Sequence, residues 1–193
     1  TVHRWSPDAG ELLEDVQRGS KIADFTSWGK ATWRAIHSFL MPNGDLVIKD
    51  HQSALFRIDA CGARIWKQDE MMFHHSTESD GAGGFWVPGL IEPQTIARSS
   101  DDLYEDALVR LSADGRILET ISLLQALLDA GLEHRMFGAG VYTKDPAHLN
   151  DIQPVLENGP FWKKGDLFLS MRHLSLIALF RPSENRIVWM KDG

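Results

Sequence analysis

Cysteine is almost missing from this chain. Cys61 stands alone, so no intramolecular disulfide can form, and oxidising and reducing compartments fit equally well. Basic residues are in deficit: the net charge is −7, and no block of Lys or Arg interrupts it. Such a surface repels a phosphate backbone, which argues against nucleic acid as a partner, although one buried Arg could still hold a small anion. No apolar run approaches the roughly 20 residues that a membrane helix needs. Thr1 to Ser6 show neither the basic nor the apolar part of a signal peptide, so any export signal or anchor is expected upstream of Thr1. What remains is ordinary for a globular protein: 193 residues, 43% hydrophobic and 24% charged, enough for one domain with a full core and incompatible with disorder or fibre.

The informative feature is a repeat. An apolar strand, a turn with Gly or Asn, and a second alternating strand occur at Val2 to Leu13 around Gly10, Leu55 to Trp66 around Gly62, Leu108 to Ile121 around Gly115, and Ile177 to Trp189 around Asn185. Gly or Asn at the turn supplies the positive φ of a tight hairpin. In front of the last three hairpins a His opens a short strand, a Gly turn follows, and a hydrophobic strand comes next. These units run from His37 through Gly44 to Ile48, from His75 through Gly84 to Val87, and from His148 through Gly165 to Leu169. Unit plus hairpin makes four short antiparallel strands, the pattern of a propeller blade.

The expected fold is therefore all-β, a partial β-propeller of four-stranded antiparallel blades forming one domain over residues 1–193. Its parts are a blade hairpin at 1–20, a blade at 33–69, a blade at 72–121 with an inserted loop, a helical insertion at 122–133, and a blade at 148–193. His37 and His75 are 38 residues apart, near a common propeller period, whereas His75 and His148 are 73 apart. The excess is inserted sequence. Ser122 with Gln125 reads as a capping box, Leu124, Leu127 and Leu128 share a face, and Gly131 ends the turn, which predicts one short helix. Asn158 to Lys164 is a second insertion, and the polar stretch Glu92 to Asp106 reads as an exposed loop. Three blades and a hairpin do not close a ring. The expectation is a fragment of a longer propeller, or a chain completed by a second copy or a partner.

In a propeller the first strand of each blade lines the central channel, so His37, His75 and His148 converge on one axis. Such a histidine either ties neighbouring blades together through backbone hydrogen bonds or belongs to a site, and three at equivalent positions favour the site. The third blade adds His148-Leu149-Asn150-Asp151 at one strand start and Ser170-Met171-Arg172-His173 at the next strand end. Alternation puts His148 and Asn150 on one face, and a regular hairpin returns Arg172 beside them. Imidazole, carboxamide and guanidinium all offer N–H donors, which a tetrahedral oxyanion needs. The structural alternative for Arg172 is an ion pair with Asp151 or Asp166. His173 is expected to point away, and His3, His51 and His134 to lie on the surface without companions.

Together, His148-Leu149-Asn150-Asp151-Ile152, the strand Gly165-Asp166-Leu167-Phe168-Leu169-Ser170-Met171-Arg172 and the closing Ile187-Val188-Trp189 resemble the arylsulfotransferase pattern of H-x-N, G-x-hhhS-x-R and G-x-hxW, where h is apolar. His74-His75-Ser76 followed by Gly83 to Pro88 is similar to an earlier blade of one bacterial branch. The resemblance covers residues 33–193. It implies a six-bladed propeller that moves a sulfuryl group from an aryl sulfate to a phenol, with no cofactor and independently of PAPS, through a sulfohistidine. His148 and Asn150 would bind or protonate the substrate oxygens, Arg172 would hold the sulfuryl charge, and His75, or else His37, would supply the earlier-blade histidine. The partners implied are a small aryl sulfate and a phenol, and the setting is the periplasm or another exported compartment. One departure matters: the family's nucleophile lies in a Q-H-D type segment after the closing Trp, which Lys191-Asp192-Gly193 does not contain, so the 193 residues alone are not expected to catalyse transfer.

Two other readings stay open. One is a non-catalytic propeller serving as a binding or scaffold module. The other is a metal site at His37, His75 and His148, disfavoured by a nearby Arg172 and the lack of tight ligand spacing. Trp66 and Trp189 occupy matching outer-strand positions and are expected in blade cores. Trp162, in the loop Pro160 to Lys164, either walls an aromatic site or anchors its own loop.

Overall fold

The computed structural model describes residues 8–16, 33–96, 102–138, 140 and 142–193. Its strands are β1 (Ile36–Leu40), β2 (Leu46–Lys49), β3 (Ser53–Ile58), β4 (Arg64–Phe73), β5 (Glu78–Ser79), β6 (Phe85–Leu90), β7 (Asp106–Leu111), β8 (Ile117–Ser122), β9 (Leu149–Pro154), β10 (Leu167–Met171), β11 (Leu176–Arg181) and β12 (Arg186–Asp192). Every pairing is antiparallel and most join consecutive strands. One eight-stranded sheet runs β1-β2-β3-β4-β6-β7-β8 with β5 beside β6, and a four-stranded sheet runs β12-β11-β10-β9. The larger sheet is two four-stranded meanders joined where the end of β4 pairs with β6, Met72 opposite Leu90 and Phe73 opposite Gly89. The fold is all-β.

Alternation explains how the meanders stack. Side chains at even and odd positions leave a strand on opposite faces. Val47 and Leu55 of the first meander meet Phe85, Val87, Ala107, Val109 and Leu111 of the second in one core. The residues between them, Ile48, Phe56 and Ile58, face a different core. Likewise Leu108 turns its back on Val109 and packs toward Leu149, Leu167, Leu169 and Phe180 of the third. Inner strands are thus covered on both faces, while outer strands such as β8 and β12 stay half open. Truncating a fully buried leucine such as Leu108 to Ala in this setting costs about 2–5 kcal/mol.

The hairpins expected at Gly62, Gly115 and Asn185 are present, as β3–β4, β7–β8 and β11–β12. At Gly115, φ is +82° and an added Cβ would meet the Trp66 ring at 2.8 Å, so this turn needs glycine twice over. The first expected hairpin is corrected. Residues 1–7 lie outside the described part, and Gly10 sits in a helix, α1 (Ala9–Leu13). Asp8 caps it, its carboxylate accepting from Gly10 N at 2.7 Å and Glu11 N at 3.2 Å, and the apolar Leu12 then packs on Ile48 and Phe56.

The expected single helix after β8 is a pair, α2 (Leu123–Asp129) and α3 (Glu133–Phe137). Ser122 Oγ accepts from Gln125 N at 3.1 Å, but the Gln125 side chain donates onward to Asp129, so only half of the capping box forms. Gly131, at φ +76°, ends the turn as expected. Trp66 is partly buried and donates from its indole to Ala113 O at 3.0 Å. Trp189 is a second correction: it is 48% exposed on the open outer strand β12. Trp162 stands edge-on to Phe168, centroids 6.0 Å apart, which fits a loop anchored by its own aromatics.

Candidate functional site

The three histidines that open the meanders share an unusual backbone. His37, His75 and His148 have φ of 44°, 49° and 52°. A left-handed residue that is not glycine costs about 1–2 kcal/mol, and the same cost is carried at the same place three times. In β1 the strain coincides with a break in register between Ile36 and Phe39. At His148 the carbonyl is held by the amide of Arg172 at 3.0 Å. Strain of this kind, held by surrounding structure, collects where side chains must be aimed.

The aim is inward. The rings of His75 and His148 lie 4.9 Å apart between centroids, and His37 stands 6.3 Å from His75. Three further histidines join them: His51 at 5.0 Å and His74 at 5.1 Å from His75, and His173 at 4.4 Å from His148. His51 and His173 are therefore corrections, because His51 has companions and His173 turns toward His148. His134 is exposed, as expected, and His3 lies outside the described residues.

Each ring is held from behind. His148 Nδ1 is 2.5 Å from Asp145 Oδ2, and His173 Nδ1 donates to the Asp145 carbonyl at 2.6 Å while Tyr142 stacks flat on its other face. His75 and His74 share a proton between their Nδ1 atoms, 2.9 Å apart, so one donates and the other accepts. His74 Nε2 lies 3.1 Å from Asp106 Oδ1, yet it makes no aligned hydrogen bond. The other Asp106 oxygen accepts from Leu149 N at 2.9 Å, which links the second meander to the third. Burial, reinforced by the rings of His74, His51, His148 and His37, pushes the His75 pKa down to about 3. Burial lowers that of His51 too, followed by His74 and His148. A cavity of about 10 Å³, room for one water or ion, lies against His51, His74, His75, His148, Asp106 and Asp145.

Arg172 leaves the end of β10 beside His148 with an exposed side chain. Its proposed ion pairs are absent among the described residues. Asp166 is taken by Arg181, at 2.7 and 2.8 Å, and Asp151 keeps a buried oxygen without a partner. Asn150 occupies the bulge where β9 slips against β10, Ser170 opposite Asp151 but Met171 opposite Leu149. That extra residue interrupts the regular pairing of β9 with β10, while His148 and Asn150 stay half-buried on either side of the buried Leu149. The structure thus gathers His75 and His148, keeps His37 at the margin, and sets Arg172 and Asn150 at the same strand ends.

A family model described as Arylsulfotransferase (ASST) matches residues 37–193. The chain belongs to the arylsulfotransferase family. The match opens on His37, the first of the strained histidines, and takes in all three meanders. No curated protein gives a significant match. Among solved structures, a protein of unknown function from Bacteroides caccae is similar at 11% identity and a TM-score of 0.52, over 83% of this chain and 46% of that one. That likeness bears on fold alone, and the chain spans less than half the length of this structural neighbour. Within the site, sequence reasoning missed His51, Asp106 and Asp145. The spacing Asp145-x-x-His148 was the one signal in reach for any of them.

Proposed function

We propose that this chain forms part of the sulfuryl-binding site of an arylsulfotransferase that transfers a sulfuryl group from an aryl sulfate to a phenol. Each four-stranded meander is then one blade of a propeller, six in the whole protein, and the histidine-bearing strand ends face its channel. The observation that carries the reading is the meeting of His75 and His148, 4.9 Å apart, next to Arg172, whose backbone amide holds the His148 carbonyl and whose exposed side chain has no ion-pair partner among the described residues, inside a region matched by the family. Arg172 holds the sulfuryl oxygens as a fixed positive donor, the means by which transfer of a charged tetrahedral group is best stabilised. Asn150 adds a carboxamide donor. Asp145 occupies His148 Nδ1, leaving Nε2 as the nitrogen that meets substrate.

The transfer runs in two halves. A histidine nitrogen attacks sulfur as the bond from sulfur to the aryl oxygen breaks, and the departing phenolate takes a proton. An acceptor phenol then gives up its proton, attacks sulfur and releases the histidine. No cofactor enters either half. An exported or periplasmic setting agrees with the reading.

The test is release of p-nitrophenol from p-nitrophenyl sulfate by the intact protein with a phenol acceptor present. Turnover that falls by at least about 100-fold in Arg172→Ala, with a sulfohistidine mass adduct in the wild type, is the expected result. A folded protein with neither turnover nor adduct would leave the propeller as a binding module.

A further inference from the structure

Two carboxylates stand among these imidazoles. Asp106 faces His74, and Asp145 faces both His148 and His173. When the imidazoles are neutral, the cluster carries negative charge and lone pairs, the composition that attracts a metal cation. Three of the side chains have the geometry to hold one. One ligand atom from each of Asp145, His148 and His173 lies within 4.8 Å of the others, and all three residues are half-buried.

We propose that Asp145, His148 and His173 bind a divalent late first-row transition ion, Zn²⁺ being the first to test, with at least one coordination position open to water or substrate. Asp145 Oδ2 is 2.5 Å from His148 Nδ1 and 3.7 Å from His173 Nδ1, and an ion taken at these atoms releases the proton that His173 Nδ1 donates to the Asp145 carbonyl and the one that His148 Nδ1 shares with the Asp145 carboxylate. A tetrahedral ion with bonds of about 2.0–2.1 Å sets its ligand atoms about 3.3 Å apart, a spacing between those two values. Neither histidine is loose: Tyr142 stacks on His173 with centroids 3.8 Å apart and planes within 6°, and His148 is anchored by its strained backbone and its carbonyl bond to Arg172. The cavity of about 10 Å³ at His148 and Asp145 has room for one further small ligand. Two imidazoles and one carboxylate favour zinc and its neighbours over magnesium or calcium, which take oxygen. Arg172 does not pair with the ion's donors: its exposed side chain makes no hydrogen bond or ion pair with any of the three.

The alternative is local: a hydrogen bond between Asp145 and His148, three residues apart, that holds a loop and binds nothing. The ion site does not depend on sulfuryl transfer and can stand or fall without it, although a bound ion would add positive charge beside Arg172.

The experiment strips the intact protein with EDTA and titrates it with ZnCl₂ by calorimetry, with the bound metal counted by elemental mass spectrometry. One zinc per chain is expected, weakened on the order of 100-fold in both Asp145→Asn and His173→Gln, while His134→Ala binds as the wild type does. CoCl₂ replacing zinc in the wild type should give visible d–d bands of a four- or five-coordinate ion, a readout that survives if a variant fails to fold. Absence of stoichiometric zinc, or equal affinity in folded Asp145→Asn and His173→Gln, overturns the proposal. So does cobalt that stays six-coordinate and pale, as in water.

Discussion

Lys49 Nζ donates to Thr77 Oγ1 at 2.6 Å, in an interior where the lysine side chain is fully buried. Desolvation pushes its pKa from 10.5 down to about 7, against a smaller upward pull from Glu78. The unfolded chain therefore binds more protons than the folded one between about pH 7 and 10.5, and stability rises with pH across that window. Below it both states are protonated and the whole penalty is in force. The displacement sets an upper bound of roughly 5 kcal/mol. Urea unfolding from pH 7 to 10 should show the rise, and Lys49→Met should be more stable at pH 7 and lose the slope. A flat wild-type profile would mean that the ammonium stays charged inside the fold.

Each meander is closed by the same ion pair. An Asp from the turn before its second strand, or just ahead of it, receives an Arg from its third strand: Asp45 with Arg57, Asp80 with Arg110, Asp166 with Arg181. In every pair both Nε and a terminal nitrogen donate to the carboxylate. The hydrogen bond from Arg181 holds the Asp166 carboxyl below its ordinary range, and Asp166 and Arg181 are the most sheltered of the three pairs. Removing one partner leaves the other without its charge partner in a sheltered position. Arg181→Ala should therefore lower the urea midpoint more than Arg110→Ala, whose side chain is 38% exposed.

The repeat of strand, glycine turn and strand was legible because tight turns demand residues that can take positive φ, and Gly62, Gly115 and Asn185 are such residues. Gly10 misled because the same residue is harmless in a first helical turn once Asp8 caps it. The triple Asp–Arg pair was within reach, as Gly44-Asp45 and Gly165-Asp166 repeat the dipeptide, but Asp80 sits four residues ahead of Gly84 and hides the third copy. The convergence of His37, His75 and His148 followed from their equivalent positions. His51, Asp106 and Asp145 did not, since they come from a turn, a strand start and a long connection whose approach depends on how the meanders stack. The bulge at Asn150 was not legible, because it leaves no mark in an alternating pattern.

The strained histidines make a prediction that separates backbone from side chain. Asn tolerates the left-handed region better than most residues, whereas a β-branched residue there is a steric outlier. His37 is exposed and at the margin of the cluster, so its replacement disturbs few contacts. His37→Asn should unfold within about 0.5 kcal/mol of the wild type, and His37→Val at least about 1 kcal/mol lower. Equal midpoints for the two variants would show that the backbone relaxes at no cost and that the shared φ carries no strain.

Arg172 offers the sharpest division between stability and activity. Its side chain is exposed and has no ion-pair partner among the described residues, and only its backbone amide, donated to the His148 carbonyl, joins the fold. Substitution at such a position changes stability by no more than about 0.5 kcal/mol, and the amide survives any replacement except proline. Arg172→Ala should therefore melt as the wild type does while losing turnover of aryl sulfate. Arg172→Lys, which keeps the charge but gives up the planar fork, should recover part of the rate. A residue kept only for packing would shift the melting temperature together with the rate, and lysine would not restore it. Activity unchanged in Arg172→Ala would remove this guanidinium from the sulfuryl site and move the search for the anion's counter-charge to the histidine cluster itself.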